Sequence, residues 1–115
     1  MEMWFSEFHT PDVKHSIRVN RQLYSKQSDY QRIDIFETPE FGRVLTLDGN
    51  VMLTERDEFI YDEMITHVPM SVHKEARDIL VIGAGDGGVV RELTRYDRVP
   101  VSYTHLRAHE TELHL

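Results

Sequence analysis

The sequence predicts an α/β protein in two parts: a small N-terminal antiparallel β domain, then the truncated opening of a doubly wound sheet. Three observations carry this. Residues 1–53 hold short apolar or alternating runs separated by turn residues, the period changes to that of a helix at Thr54, and Asp78 to Leu93, DILVIGAGDGGVVREL, reads as strand, glycine turn and helix start.

In chain order, Met3 to Phe8 is aromatic-rich and reads as a strand ending at the Thr10-Pro11-Asp12 turn. Ser16 to Leu23 alternates imperfectly and is expected to be one half-buried strand. Tyr30 to Glu37 is the next, closed by Thr38-Pro39-Glu40. Val44 to Leu47 and Val51 to Leu53 flank Asp48-Gly49-Asn50; Asp-Gly between apolar runs is the strongest short-range hairpin signal. Thr54 and Asp57 have the spacing of a capping box, with Asp in place of Glu or Gln. In the helix that follows, Ile60, Met64 and Val68 recur every fourth residue beside Tyr61 and Ile65, so that face is expected to be buried. Asp57, Glu58, Asp62 and Glu63 fall on the other side or its border. Pro69 ends the helix or kinks its last turn. The organisation is then 1–53 β domain, 54–77 linking helix and connection, 78–99 first strand, glycine loop and helix of a second domain, and 100–115 tail.

A chain of 115 residues is long enough for one modest core, yet only about thirty residues follow the start of the glycine turn, far short of two βαβαβ halves. The formal charge of −7 argues against nucleic acid or an anionic membrane as partner and suits a cationic small substrate. No cysteine is present, which removes disulfides and thiolate sites and fits a reducing compartment. The first ten residues lack the basic and apolar regions of a signal peptide, and no run approaches the roughly 18 apolar residues of a spanning helix. A cytoplasmic protein is expected.

The glycine loop satisfies two templates at once. Gly83, Gly85 and Gly88 fit the G-x-G-x-x-G of dinucleotide enzymes; Gly83, Gly85 and Gly87 fit the G-x-G-x-G of adenosylmethionine-type folds. Either way, unpaired N–H groups and a helix N-terminus face a crevice with few side chains in it. A tight strand-to-helix turn with no ligand would use glycines in the same way. Asp86 inside the loop either caps the coming helix or points into the crevice toward a cation or hydroxyl. A carboxylate there is awkward beside a pyrophosphate, which favours a guest without phosphates. Tyr61 and Asp62 read either as part of a solvated helix border or as a hydroxyl and carboxylate holding an ammonium. Gln31 is either an exposed strand position or a nucleoside contact.

Taken together, Ser28-Asp29-Tyr30-Gln31, Glu40-Phe41-Gly42, Leu47-Asp48-Gly49, Glu55-Arg56-Asp57-Glu58-Phe59, Tyr61-Asp62-Glu63-Met64, His67-Val68-Pro69 and Gly83-Ala84-Gly85-Asp86-Gly87-Gly88 resemble the spermidine synthases, the polyamine aminopropyltransferases. The resemblance runs from Trp4 to about Val99. It implies a small β domain before a Rossmann-like, adenosylmethionine-methyltransferase-like domain, and a transferase that moves an aminopropyl group from decarboxylated S-adenosylmethionine to putrescine. That donor is a co-substrate; no cofactor and no metal are implied. Gln31, Gly83 and Gly85 would meet the donor nucleoside, and Tyr61, Asp62 and Asp86 the amine. His or Gln is common in the family where Asp62 stands, so the acceptor preference is open. The general base, an Asp on a later strand, and the acidic residue that grips the ribose are expected downstream. The resemblance also implies a homo-oligomer as full length. The alternatives are a nicotinamide-dependent oxidoreductase and a non-catalytic oligomerisation module.

From Pro100 onward the chain departs from the family pattern, and 100–115 reads as translated adaptor sequence joined to a truncated reading frame. Three of the seven histidines lie there, and His105 and His109 have the i, i+4 spacing of a metal pair, without a third ligand at clear spacing.

Overall fold

In the computed structural model, which describes residues 1–99 and the backbone of 101–105, the chain forms two compact units, Met1–Glu58 and a second beginning at Phe59. The first is all β. Strands β1 (Met3–Thr10) and β2 (Val13–Val19) pair as one antiparallel hairpin; β3 (Arg21–Gln27), β4 (Arg32–Thr38), β5 (Gly42–Leu47) and β6 (Asn50–Thr54) form a four-stranded antiparallel sheet in sequence order.

The single strand expected over Ser16 to Leu23 is in fact two, in different sheets. The break falls at Asn20, whose N–H donates to the Glu37 carbonyl at 2.8 Å, so the chain leaves the β1–β2 hairpin and enters the larger sheet there. The hairpin and the sheet share a core. Phe5 and Phe36 meet with ring centroids 5.1 Å apart, and the Val51 N–H donates to Glu7 Oε2 at 2.6 Å. Ile17, Val19 and Val44 are buried with Thr38, Thr46 and Asp34. Burial alone would raise the Asp34 carboxyl, but hydrogen bonds from Arg32 (2.9 Å) and Gln22 (2.8 Å) outweigh it and hold the group below the ordinary carboxylate value.

The Asp48-Gly49 hairpin forms as expected. β5 and β6 are joined by those two residues, both left-handed at φ 51° and 78°, the pattern of a type I′ turn. A Cβ at Gly49 would meet nothing within 4 Å, so Gly49→Ala is expected to cost only the conformational term, about 1 kcal/mol. Urea unfolding midpoints of the two proteins check this.

Helix α1 runs Glu58–Val72, and so begins later than a Thr54 cap would place it. Thr54, the last residue of β6, instead donates its hydroxyl to the Asp57 carboxylate, a bond between side chains across the connection. The helix does not stop at Pro69. Its end is closed by Arg98, which donates to the Met70 carbonyl at 2.8 Å.

The face of α1 expected to be buried is the exposed one. Ile60, Tyr61, Met64, Ile65 and Val68 are all exposed, whereas Asp62, Thr66 and Met70, also spaced by four, are the buried residues. Strand β7 (Asp78–Ile82), helix α2 (Gly88–Leu93) and strand β8 (Val101–His105) complete the unit, with β7 and β8 parallel, Asp78 opposite Val101 and Ile82 opposite His105. Met70, Val81 and Leu93 form its core, with Ile79, Val89, Tyr96 and Val99 packed against them, while Leu80 and Ile82 on the other face of β7 are exposed. Strand β8 lies in the segment expected to depart from the family; the His105 and His109 side chains lie outside the described residues.

Candidate substrate-binding site

The turn between β7 and α2 is built by backbone that glycine permits. Gly83 and Gly87 are left-handed at φ 91° and 81°, and Ala84, at φ 52°, joins them without being glycine. The Gly87 N–H closes the turn on the Ala84 carbonyl at 3.0 Å. Gly87 is the N-cap of α2 and no side chain caps the helix, so the capping role open to Asp86 is not used. Asp86 is exposed on the loop.

Asp62 comes to this loop from α1. It is 2% exposed, so the solvated-border reading of that position is incorrect. The helix turns it inward because it shares a stripe with Thr66 and Met70, whose far end is anchored in the core. Carboxylate oxygens of Asp62 and Asp86 lie within 4.8 Å of each other. Gly88 is the residue that lets Asp62 approach: a Cβ at 88 would fall inside the Asp62 carboxylate. Tyr61, by contrast, is 65% exposed on α1.

Behind Asp62 lies a charged network that the sequence reading did not identify. Glu92 is 1% exposed. Its carboxylate meets His67 Nε2 at 3.1 Å, Arg91 Nε at 3.2 Å and Arg95 Nε at 3.5 Å. A carboxylate only accepts, so Nε2 carries a proton, and in the neutral ring Nδ1 accepts from the Tyr96 hydroxyl at 2.6 Å. The signal available in the sequence was the charged run Arg91-Glu92 on a six-residue helix whose neighbours are needed for the core. The His67 hydrogen bond, with the two arginines, outweighs burial and holds the Glu92 carboxyl below its ordinary value. A group depressed in this way contributes stability above its unfolded-state value of 4.5 and loses it as pH falls through the lower folded-state value. Unfolding midpoints measured from pH 7 to pH 3 are therefore expected to fall for the parent chain, and Glu92→Gln to lessen that slope.

Gln31 sits in the first unit, half-buried, just before β4. The Ser28 hydroxyl shapes its turn, accepting from the Gln31 N–H at 3.0 Å and donating to the Gln31 carbonyl at 2.8 Å. The structure thus brings Asp62, Asp86 and the glycine loop together within the second unit and fixes Gln31 within the first.

Comparison with known proteins fits this division. Residues 3–55 match the family model described as the spermidine synthase tetramerisation domain, and residues 58–110 match the spermine/spermidine synthase domain. The chain belongs to the spermidine synthase family. The polyamine aminopropyltransferase of Lachnoclostridium phytofermentans is 63% identical over 99 residues, and that of Clostridium botulinum 62%. Each alignment covers 86% of this chain and 35% of the relative, so the chain spans about a third of the length of these family members. Among solved family structures, spermidine synthase from Thermotoga maritima superposes with a TM-score of 0.84 at 48% identity, covering 89% of this chain and 35% of the other. A spermidine synthase in complex with the transition state analogue AdoDATO gives 0.85 at 45% identity, covering 96% and 38%. The expected fold class, an antiparallel β domain followed by the start of an α/β domain, is therefore that of the family.

Among the described residues no helix is long and apolar enough to cross a membrane.

Proposed function

We propose that this chain supplies the N-terminal part of a polyamine aminopropyltransferase that transfers an aminopropyl group from decarboxylated S-adenosylmethionine to putrescine, yielding spermidine and methylthioadenosine. The observation that carries this reading is the pair of carboxylates, Asp62 and Asp86, gathered at a glycine loop. A pyrophosphate would meet that negative charge unfavourably, which speaks against a dinucleotide oxidoreductase; a cationic amine meets it favourably. Gly83 and Gly85 give the donor nucleoside close approach to backbone, Gln31 contacts the same donor, and Tyr61 lines the amine pocket with its hydroxyl.

The chemistry asks for little more than placement. The sulfonium makes the adjacent carbon electrophilic, the neutral amine nitrogen attacks it, and the C–S bond breaks with its electrons going to sulfur, leaving a secondary ammonium and a neutral thioether. An alkylamine titrates near 10.4 like Lys, so a base must free the attacking nitrogen while carboxylates hold the distal ammonium. The family supplies that base downstream of the segment matched here. The donor is a co-substrate, and no cofactor enters. The tetramerisation-domain match and the exposed Met3, Trp4, Phe8 and Val13 of the β1–β2 hairpin support a homo-oligomer. The absence of cysteine supports a cytoplasmic site of action.

The test joins residues 1–99 to the part of the L. phytofermentans enzyme that follows its matched residues. The soluble chimera is expected to form spermidine from putrescine, with Asp86→Asn lowering kcat/KM for putrescine about fivefold, the loss expected for removing one exposed charge that faces the bound ammonium. The 115-residue chain alone is expected to form none. A folded chimera without putrescine-dependent turnover overturns the reading.

A further inference from the structure

Arg91 lies between the two most buried carboxylates of the second unit. Its Nε donates to Glu92 Oε2 at 3.2 Å and its terminal NH2 stands 3.6 Å from Asp62 Oδ2, although half of its side chain is exposed. Glu92 makes that arrangement definite. Its other oxygen is held by His67, which is held in turn by the Tyr96 hydroxyl, and Arg95 closes the remaining side. The line of contacts therefore runs from Tyr96 through His67, Glu92 and Arg91 to Asp62, and it ends at the Asp62–Asp86 pair.

We infer that Arg91 and Glu92 are positioning residues for the acceptor amine: Glu92 aims the Arg91 guanidinium at one edge of the Asp62 carboxylate, which sets the orientation and offsets part of the charge of the group that faces the ammonium. This rests on the reading of Asp62 and Asp86 as the amine site. Two neighbouring carboxylates repel each other, and the Arg91 guanidinium beside Asp62 offsets part of that repulsion while holding the carboxylate in one orientation. A guanidinium does this because its planar fork has one edge for each partner; an ammonium, a single point charge, cannot span both.

The test uses the chimera with Arg91→Lys, Arg91→Gln and Glu92→Gln. Each is expected to raise KM for putrescine roughly fivefold or more, with kcat within about twofold and KM for decarboxylated S-adenosylmethionine unchanged. Arg91→Lys is expected to rescue little, since charge without the fork is not enough. Variants that turn over with an unchanged putrescine KM overturn the inference, as does full rescue by Arg91→Lys or a parallel rise in both KM values, the signature of general loosening. If Glu92→Gln does not fold, the two Arg91 variants decide alone. An unsubstituted chimera that forms no spermidine overturns the functional reading and this inference with it.

Discussion

Replacing Gly88 with alanine is expected to destabilise the second unit by about 3 kcal/mol, the upper range for overpacking, because the atom displaced belongs to a buried charge. Gly88 is not in the left-handed region, so backbone strain is not the cause. The added Cβ would fall inside the Asp62 carboxylate. That carboxylate has little freedom to retreat: it is 2% exposed and Arg91 stands at 3.6 Å on one side. Gly87→Ala provides the contrast. Its φ of 81° makes alanine strained, but nothing lies within 4 Å of the new atom, so about 1 kcal/mol is expected. Urea unfolding of both variants checks the ranking. A double-mutant cycle with Asp62→Ala identifies the cause: Gly88→Ala should lose most of its cost once the carboxylate is gone. Equal costs at 87 and 88 would overturn the steric account.

The second large effect concerns which way α1 faces. Met70→Ala is expected to cost about 3 kcal/mol, since Met70 is 5% exposed and packs with Val81 and Leu93. Val68→Ala, two residues earlier on the apolar stripe, is expected to stay within about 0.5 kcal/mol, because Val68 is 53% exposed. Thermal or urea unfolding of the pair reads the helix orientation directly. The reverse order would place Ile60, Met64 and Val68 inside.

That orientation is also where the sequence was least legible. Periodicity ranks faces by polarity, and α1 offers one stripe of Ile60, Met64 and Val68 against another of Asp62, Thr66 and Met70. The second wins because Met70 fills the space above Val81 and Asp62 rests on a glycine, neither of which hydrophobicity records. Similar physics hid the face of β4, where Asp34 is buried among hydrogen bonds from Gln22 and Arg32. The break at Asn20 was hidden because the strand pattern of β2 resumes at once in β3, with no Gly or Pro between them. What could be read were features with local causes. The Asp48-Gly49 turn follows from two residues that tolerate positive φ, and the strand–turn–helix at Gly83 from glycine spacing. Asp86 could be placed on the loop because its position follows from the glycine spacing, whereas Gln31, read as a strand position, lies in the turn just before β4. Glu92 was missed because its partner His67 is far from it in sequence and its partner Arg95 lies beyond the helix that carries it.

The Asp48-Gly49 turn reaches further than the hairpin it closes. The Asp48 side chain accepts from the Arg32 N–H at 2.8 Å, and the Asp48 N–H donates to the Arg32 carbonyl at 2.9 Å. Arg32 follows Gln31 directly, so the tip of one hairpin is clasped to the residue next to the one proposed to touch the donor. A surface turn of this kind ordinarily accepts insertions freely. Here lengthening it by one residue would pull on the residue proposed to meet the nucleoside while leaving every residue of the glycine loop as it is.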